Sequence, residues 1–212
     1  NGTSYTVTVY SPSGNMLIQR VEAESGIYPL CCDVSPDGKI IAISYIDTTG
    51  VEIKSKIGMF YINSDVGADY TDSMYGAVEK NDEIIFKMYF MGGNNLIAIG
   101  DRNITSISAA GVEEGSVEVT NEIMGVGLCG NKIAMIYGEE LSDKEGELPG
   151  TIVFVSSGGK LSTGDSAEVE TDYFVCSDGG IVAGSGTAYY GFSSGGQLMW
   201  SVTTTGNITG IY

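Results

Sequence analysis

The chain has 212 residues, 42% of them hydrophobic, enough to bury a sizeable core, and an all-β chain of this size is often a single domain, here expected over residues 1–212. Its 27 acidic residues against 10 basic ones give a net charge of −17, a field that repels polyphosphate and anionic lipid and so argues against nucleic acid or direct membrane binding. With no His in the chain, Ser-His-Asp and Cys-His nucleophile systems and His-based zinc sites are excluded as well.

Tyr5 to Val21 reads as a hairpin: an alternating strand, the turn Ser11-Pro12-Ser13-Gly14-Asn15 and a returning strand. The clearest unit follows. A strand ending at Val34 meets Ser35-Pro36-Asp37-Gly38, where Pro fixes φ, Asp bonds nearby backbone and Gly supplies a positive φ. Lys39 to Tyr45 is then an almost continuous apolar run, too short for a typical helix, which predicts a strand buried on both faces. Ile57 to Ile62 is the third strand, with a turn at 63–67.

A second unit runs Ile84 to Met91, turns at Gly92-Gly93-Asn94-Asn95, continues through Leu96 to Ile99 and returns from Ile104 to Ser108. The third takes Ile123 to Leu128, a Gly130-Asn131 turn, Lys132 to Tyr137, a long acidic loop and Thr151 to Val155 before Ser156-Ser157-Gly158-Gly159. The fourth holds Tyr173 to Cys176, Ser177-Asp178-Gly179-Gly180, Ile181 to Ala183, Thr187 to Phe192, Ser193-Ser194-Gly195-Gly196 and Gln197 to Val202. A lone strand, Asn207 to Tyr212, ends the chain. The 31 glycines sit singly or in pairs between apolar runs, as turn residues do.

The first-turn glycines Gly38, Gly93, Gly130 and Gly179 are 55, 37 and 49 residues apart, around the roughly 40–50 residues of a propeller blade. SPDGKIIAIS followed by KIGMFYIN resembles the repeat of WD40-like and related bacterial β-propellers, although the Trp-Asp dipeptide of true WD40 repeats is absent. The fold class expected is all-β, a β-propeller of four-stranded antiparallel blades: about four full blades plus terminal strands, as a five-bladed ring or a fragment of a larger one. The chain also resembles the extracellular part of membrane-anchored Gram-positive propeller proteins. That likeness implies an extracytoplasmic place, cell-surface or secreted, with an anchor outside this segment. No signal peptide or 18-residue apolar run is present, and the chain opens inside a strand pattern, as a piece trimmed from a longer protein would.

Charge placement gives the candidate site. In the expected strand order, the fourth-to-first and second-to-third connections share one face. Most of the acidic residues fall in or beside them, including Glu22, Glu24, Asp47, Asp69, Asp72, Glu79, Asp82, Glu83, Asp101, Glu113, Glu114, Glu122, the run Glu139 to Glu147 and the run Asp165 to Asp172. The opposite face keeps mainly Asp37, Asp65 and Asp178. Three readings of the acidic face compete. It is a solvated surface; or it binds a cation or basic ligand; or it catalyses. For a cation, Glu139, Glu140, Asp143, Glu145 and Glu147 cluster the hard oxygens that Ca²⁺ takes, without matching an EF-hand loop. For a ligand, Asp47, Asp82, Glu83, Asp101, Glu122 and Asp172 are the candidates. Catalysis would be carboxylate-based glycoside hydrolysis, since five-bladed propellers include such enzymes; it needs two carboxylates facing each other across ~5 to 9.5 Å.

The function expected is a non-enzymatic extracytoplasmic binding or scaffolding module using this face, with the propeller glycoside hydrolase as the alternative. Its partners are a protein, peptide or glycan, and no cofactor is expected beyond the Ca²⁺ candidate. Tyr70, Tyr75 and Tyr190 are the exposed aromatics to test as sugar platforms, with Trp200 beside them. Cys31, Cys32, Cys129 and Cys176 show no CxxC spacing and read as buried free thiols on first strands, a Cys129 to Cys176 bridge staying open and a Cys31-Cys32 bond being strained. Asn-x-Ser/Thr sequons begin at Asn1, Asn103 and Asn207, and Gly184-Ser185-Gly186 is a turn rather than a phosphate loop.

Overall fold

The computed structural model describes residues 5–22, 25–62, 74–138, 149–168 and 173–206. Every extended element in it is a β-strand, apart from one short 3₁₀ turn at Gly92–Asn94. Two compact units divide the chain, residues 1–118 and 119–212.

In the first unit a hairpin of β1 (Tyr5–Tyr10) and β2 (Met16–Glu22) precedes two antiparallel four-stranded sheets. One sheet is β3 (Ile27–Val34), β4 (Ile40–Asp47), β5 (Lys54–Tyr61) and β6 (Met74–Asn81), ordered as in the sequence; the other is β7 (Ile85–Phe90), β8 (Leu96–Gly100), β9 (Asn103–Ile107) and β10 (Glu113–Glu118). Chain-order meanders of four strands are propeller blades. The Ser35 turn forms as its chemistry requires. Gly38 takes φ +70° and donates to the Ser35 carbonyl at 2.8 Å, while the Asp37 carboxylate accepts from the Ser35 hydroxyl at 2.7 Å and from the Lys39 amide at 3.1 Å.

β4 is buried on both faces. Ile40 and Ala42 join Ile57, Met59, Ile85, Met88, Phe90 and Leu96 in one cluster. Ile41, Ile43 and Tyr45 face the other way, with Phe60, onto Val7 and Val9 of β1. Between the two sheets several polar groups find partners across the interface, as burial favours. Ser44 donates to the Ile85 carbonyl at 3.1 Å; Ser55 donates to the Glu83 carbonyl at 2.8 Å and accepts from the Ile85 amide at 3.0 Å; Asp33 accepts from the Phe90 amide at 2.7 Å.

The second unit repeats this plan with β11 (Ile123–Cys129), β12 (Lys132–Tyr137), β13 (Pro149–Val155) and β14 (Leu161–Glu168), then β15 (Tyr173–Ser177), β16 (Gly180–Ser185), β17 (Ala188–Ser193) and β18 (Leu198–Thr203). Ala134, Ile136, Ile152 and Phe154 of one sheet meet Ile181, Ala183 and Phe192 of the next. The first strands approach closely because β11 offers glycines: Gly125 lies against Phe174, and Gly127 against Cys176.

One turn recurs. At Ser11, Ser108, Ser156 and Ser193, a Ser-x-x-Gly sequence brings the Gly amide onto the Ser carbonyl at 2.9 Å with the Gly at positive φ. The residue after the Gly donates to the Ser hydroxyl at 3.1 to 3.3 Å. Three of these turns join a third strand to a fourth; the other joins β1 to β2, so by turn chemistry that hairpin is a third-and-fourth pair.

The fourth strands β6, β10 and β14 are additions to the sequence reading, and they place Glu79, Glu113, Glu114 and Asp165 on strands rather than in connections. Their sequences, MYGAVEKN, EEGSVE and LSTGDSAE, lack the apolar periodicity that marks a strand because each lies at a sheet edge. The first two are held against the unit's other elements by backbone: a Cβ on Gly76 of β6 would fall 2.6 Å from the Gly111 Cα. In the second unit a Cβ on Gly164 of β14 would fall 2.8 Å from the Gly196 Cα.

Gly76→Ala must therefore push backbone from backbone, and chemical denaturation is expected to show a loss of about 1–3 kcal/mol. Gly92→Ala, where a Cβ meets nothing within 4 Å, is expected to stay within about 0.5 kcal/mol of wild type.

Candidate functional site

Four of the six ligand-face candidates, Asp47, Asp82, Glu83 and Asp101, sit in the first unit at the strand ends where β4 passes to β5, β6 to β7 and β8 to β9. Each is fixed by its own surroundings. Asp47 closes β4, and its Oδ1 accepts from the Thr49 hydroxyl at 2.6 Å and the Thr49 amide at 2.9 Å, while Lys56 lies 3.3 Å from Oδ2 and bridges on to Glu79 at 3.7 Å. The Thr49 hydroxyl and amide, helped by Lys56, hold its carboxyl down at about 2.

Asp82 adopts φ +54°, donates its amide to the Ile53 carbonyl at 2.9 Å and pairs with Arg102 at 2.8 Å. Both side chains are exposed, so that pair contributes only about 0–1 kcal/mol. Asp101 accepts from the Ile84 amide at 2.8 Å and thereby ties the β8–β9 turn to the entry of β7.

Glu83 is the most buried of the four, 3% exposed against 8% for Asp47, while Asp82 and Asp101 are exposed. Oε1 accepts from the Asn103 amide at 3.0 Å and Oε2 from the Asn103 side chain at 3.2 Å. Gly100 makes room for it, since a Cβ there would overlap the Glu83 carboxylate. Burial raises its pKa, against the lowering effect of the two Asn103 bonds. The sequence hint for this clamp was a carboxylate standing directly before a buried strand, opposite a Gly-Asp-Arg-Asn turn. A further carboxylate was not among the sequence candidates: Asp33, half-buried and accepting from the Phe90 amide across the two sheets, is raised by burial.

Glu122 lies in the second unit, exposed at the entry to β11, where its backbone carbonyl accepts from Gly138 at 2.9 Å. Asp172, Tyr70 and the calcium candidates Glu139, Glu140, Asp143, Glu145 and Glu147 lie outside the described residues. Among the described residues, no three His, Cys, Asp or Glu side chains gather as a metal site.

The aromatic candidates are corrected by packing. Tyr75 is half-buried, stacked on Tyr61 with ring centres 4.3 Å apart, and Tyr190 is packed into the core of the second unit. Trp200 is exposed, its indole laid across Gly191. Of the cysteines, Cys32 is exposed while Cys31 on the same strand turns into the core, as strand alternation demands. Cys176 faces Gly127, whereas Cys129, two residues further along β11, donates to the Ser177 carbonyl at 3.1 Å; the thiols are thus diagonal to each other, and both are free. Burial pushes Cys31 and Cys176 up to about 12, which leaves them protonated and unreactive. At the Asn103 sequon the amide is bonded to Glu83 and Thr105 is fully buried, so this folded site is closed to glycosylation.

Four-stranded meanders packed face to face, with their first strands adjacent, define a β-propeller protein. The chain belongs to the family described as "Family of unknown function (DUF5711)", whose profile matches residues 1–212. No curated protein matches it. Among solved structures it is similar to the Pan2 WD40 domain of Neurospora crassa, at 9% identity and a TM-score of 0.52, covering 85% of this chain and 51% of that one. The chain thus spans about half the length of that domain. Further likenesses are a protein of unknown function from Bacteroides caccae (11% identity, 92% of this chain and 73% of that one, TM-score 0.49) and BamB from Moraxella catarrhalis (11%, 93% and 68%, TM-score 0.45). At these identities the Pan2 likeness establishes the fold alone.

Asp47 and Glu83 carry opposite pH signatures. What Asp47 contributes to stability is complete above its ordinary value of 3.8 and is lost as pH falls through about 2, so acid unfolding of Asp47→Asn should depend less steeply on pH across that window. Glu83 is raised, so its ionised form is the costly one: as pH rises above 4.5, the stability of Glu83→Gln relative to wild type should increase. Glu83→Ala, which strands the Asn103 amide, should cost about 1–3 kcal/mol at neutral pH.

Proposed function

We propose that this chain is a non-enzymatic binding or scaffolding module that works outside the cytoplasm, secreted or at a cell surface, and engages a cationic protein or peptide through the carboxylate-bearing strand ends of its first unit. The observation that carries this reading is that Asp47 holds its own turn while Asp82, Glu83 and Asp101 tie the β6–β7 and β8–β9 turns to each other. Such turns form a rigid platform that loses little entropy when a partner docks. Exposed Asp82 and Asp101 supply the negative field at its surface. Glycans remain a partner class through exposed Trp200. The extracytoplasmic placement rests on the resemblance to membrane-anchored propeller proteins; among the described residues no helix is long and apolar enough to cross a membrane.

Glycoside hydrolysis is the second reading. Glu83 favours it by its raised pKa, the property a general acid requires. Against it, both Glu83 oxygens are already occupied by Asn103.

The test is a titration of the immobilised chain with cationic, neutral and anionic peptides of equal length, beside an assay on aryl glycosides. Binding restricted to cationic peptides, weakened by salt and by Asp82→Asn/Asp101→Asn, is the expected outcome. Equal binding of all three sets would overturn the platform, and glycoside turnover lost in Glu83→Gln would establish the hydrolase. In a parallel melt, millimolar Ca²⁺ is expected to leave the transition unmoved. A calcium-specific rise would make Glu139, Glu140, Asp143, Glu145 and Glu147 a metal site.

A further inference from the structure

The charge of the chain is distributed very unevenly. Residues 179–212 contain no Asp, Glu, Lys or Arg, so the whole net charge of −17 resides in residues 1–178. β18 lies in that neutral stretch and forms the edge of its sheet.

The other fourth strands carry charged residues: Arg20 and Glu22 on β2, Glu79 and Lys80 on β6, Glu113, Glu114 and Glu118 on β10, Asp165 and Glu168 on β14. Charged side chains on edge strands keep them from pairing with other chains. β18, Leu-Met-Trp-Ser-Val-Thr, has no such protection, and it is exposed along its whole length: Leu198 by 37%, Met199 by 62%, Trp200 by 47% and Val202 by 46%. Among the described residues, a side chain from outside the sheet bonds its start: the Asp165 carboxylate accepts from the Leu198 amide at 2.8 Å.

We propose that β18 is a self-association edge, at which two copies of this chain pair β18 antiparallel about a twofold axis and join their β15–β18 sheets into one. Charge selects the occupant. A second copy is repelled wherever its carboxylates meet carboxylates, and β18 is the fourth strand at which two copies meet without opposing any. Antiparallel pairing of a strand with itself is isologous, so one patch serves both partners and the assembly closes at two. Pairing from Met199 to Thr203 satisfies the open backbone edge and covers Met199 and Val202. It leaves the Asp165 contact at the start of the strand in place.

The proposal goes beyond the binding role above and stands or falls separately. Sedimentation of the whole chain over a concentration series up to about 0.1 mM should show a reversible dimer of the 22.3 kDa chain. The dimer should tighten as salt screens the repulsion between two acidic bodies. Ser201→Glu should weaken it at least about tenfold, because it brings carboxylates face to face across the twofold axis, and Met199→Glu should weaken it to a similar degree, because it sets two new charges into the paired segment opposite Thr203 of the other copy. Thermal melts identical to wild type will show that the variants fold. Val51→Glu, fully exposed in the other unit, should leave the dimer unchanged. A wild-type chain that stays monomeric throughout overturns the proposal. So does a dimer insensitive to both β18 variants, or one weakened as much by Val51→Glu.

Discussion

A strand with no polar face must be covered on both sides, and that requirement shapes everything else in this protein. β4, β8 and β12 are apolar on both faces, so each sheet needs a neighbouring layer as much as it needs its own hydrogen bonds. Any polar atom caught between layers then has to find a partner there. Ser44, Ser55 and Asp33 do so by bonding the backbone of the β7 sheet rather than their own. Those bonds specify register: shifting one sheet against the other by a residue would strand several buried groups at once.

Most of the remaining charge lies at strand ends and sheet edges. Carboxylates occupy turns and edge strands, and at the turns they are bonded to backbone amides, as at Thr49, Ile84 and Asn103. The acidic surface is thus partly structural. It fixes loops at the ends of the first unit's strands, and a surface fixed in this way can recognise a partner by shape as well as by sign. The neutral end of the chain, where no such carboxylates stand, presents a contrasting surface.

Much of this architecture was legible in the sequence. The Ser35 turn, the both-face burial of β4 and the first three strands of each full sheet followed from turn chemistry and apolar runs. The fourth strands beyond the last sheet did not, because strands such as Glu113–Glu118 are entirely exposed and carry the composition of a loop. The acidic residues on them were consequently read as connections. At the candidate site, the positions of Asp82, Glu83 and Asp101 beside strand starts were predictable. The burial of Glu83 was not, since it depends on Gly100 and Asn103 across a turn. Exposure of Tyr75 likewise could not be judged without knowing that Tyr61 stacks on it.

The recurring Ser-x-x-Gly turn has a kinetic consequence. Its bonds close within five residues and involve no group from another layer. Closing so short a loop is fast, on the order of tens of nanoseconds, and hairpins follow within about 1–10 μs. The hairpins β1–β2, β9–β10, β13–β14 and β17–β18 can therefore assemble early and independently, each as its own nucleus. Docking of one sheet on another, which must bring Asp33 to Phe90 across 57 residues, comes later and sets the rate.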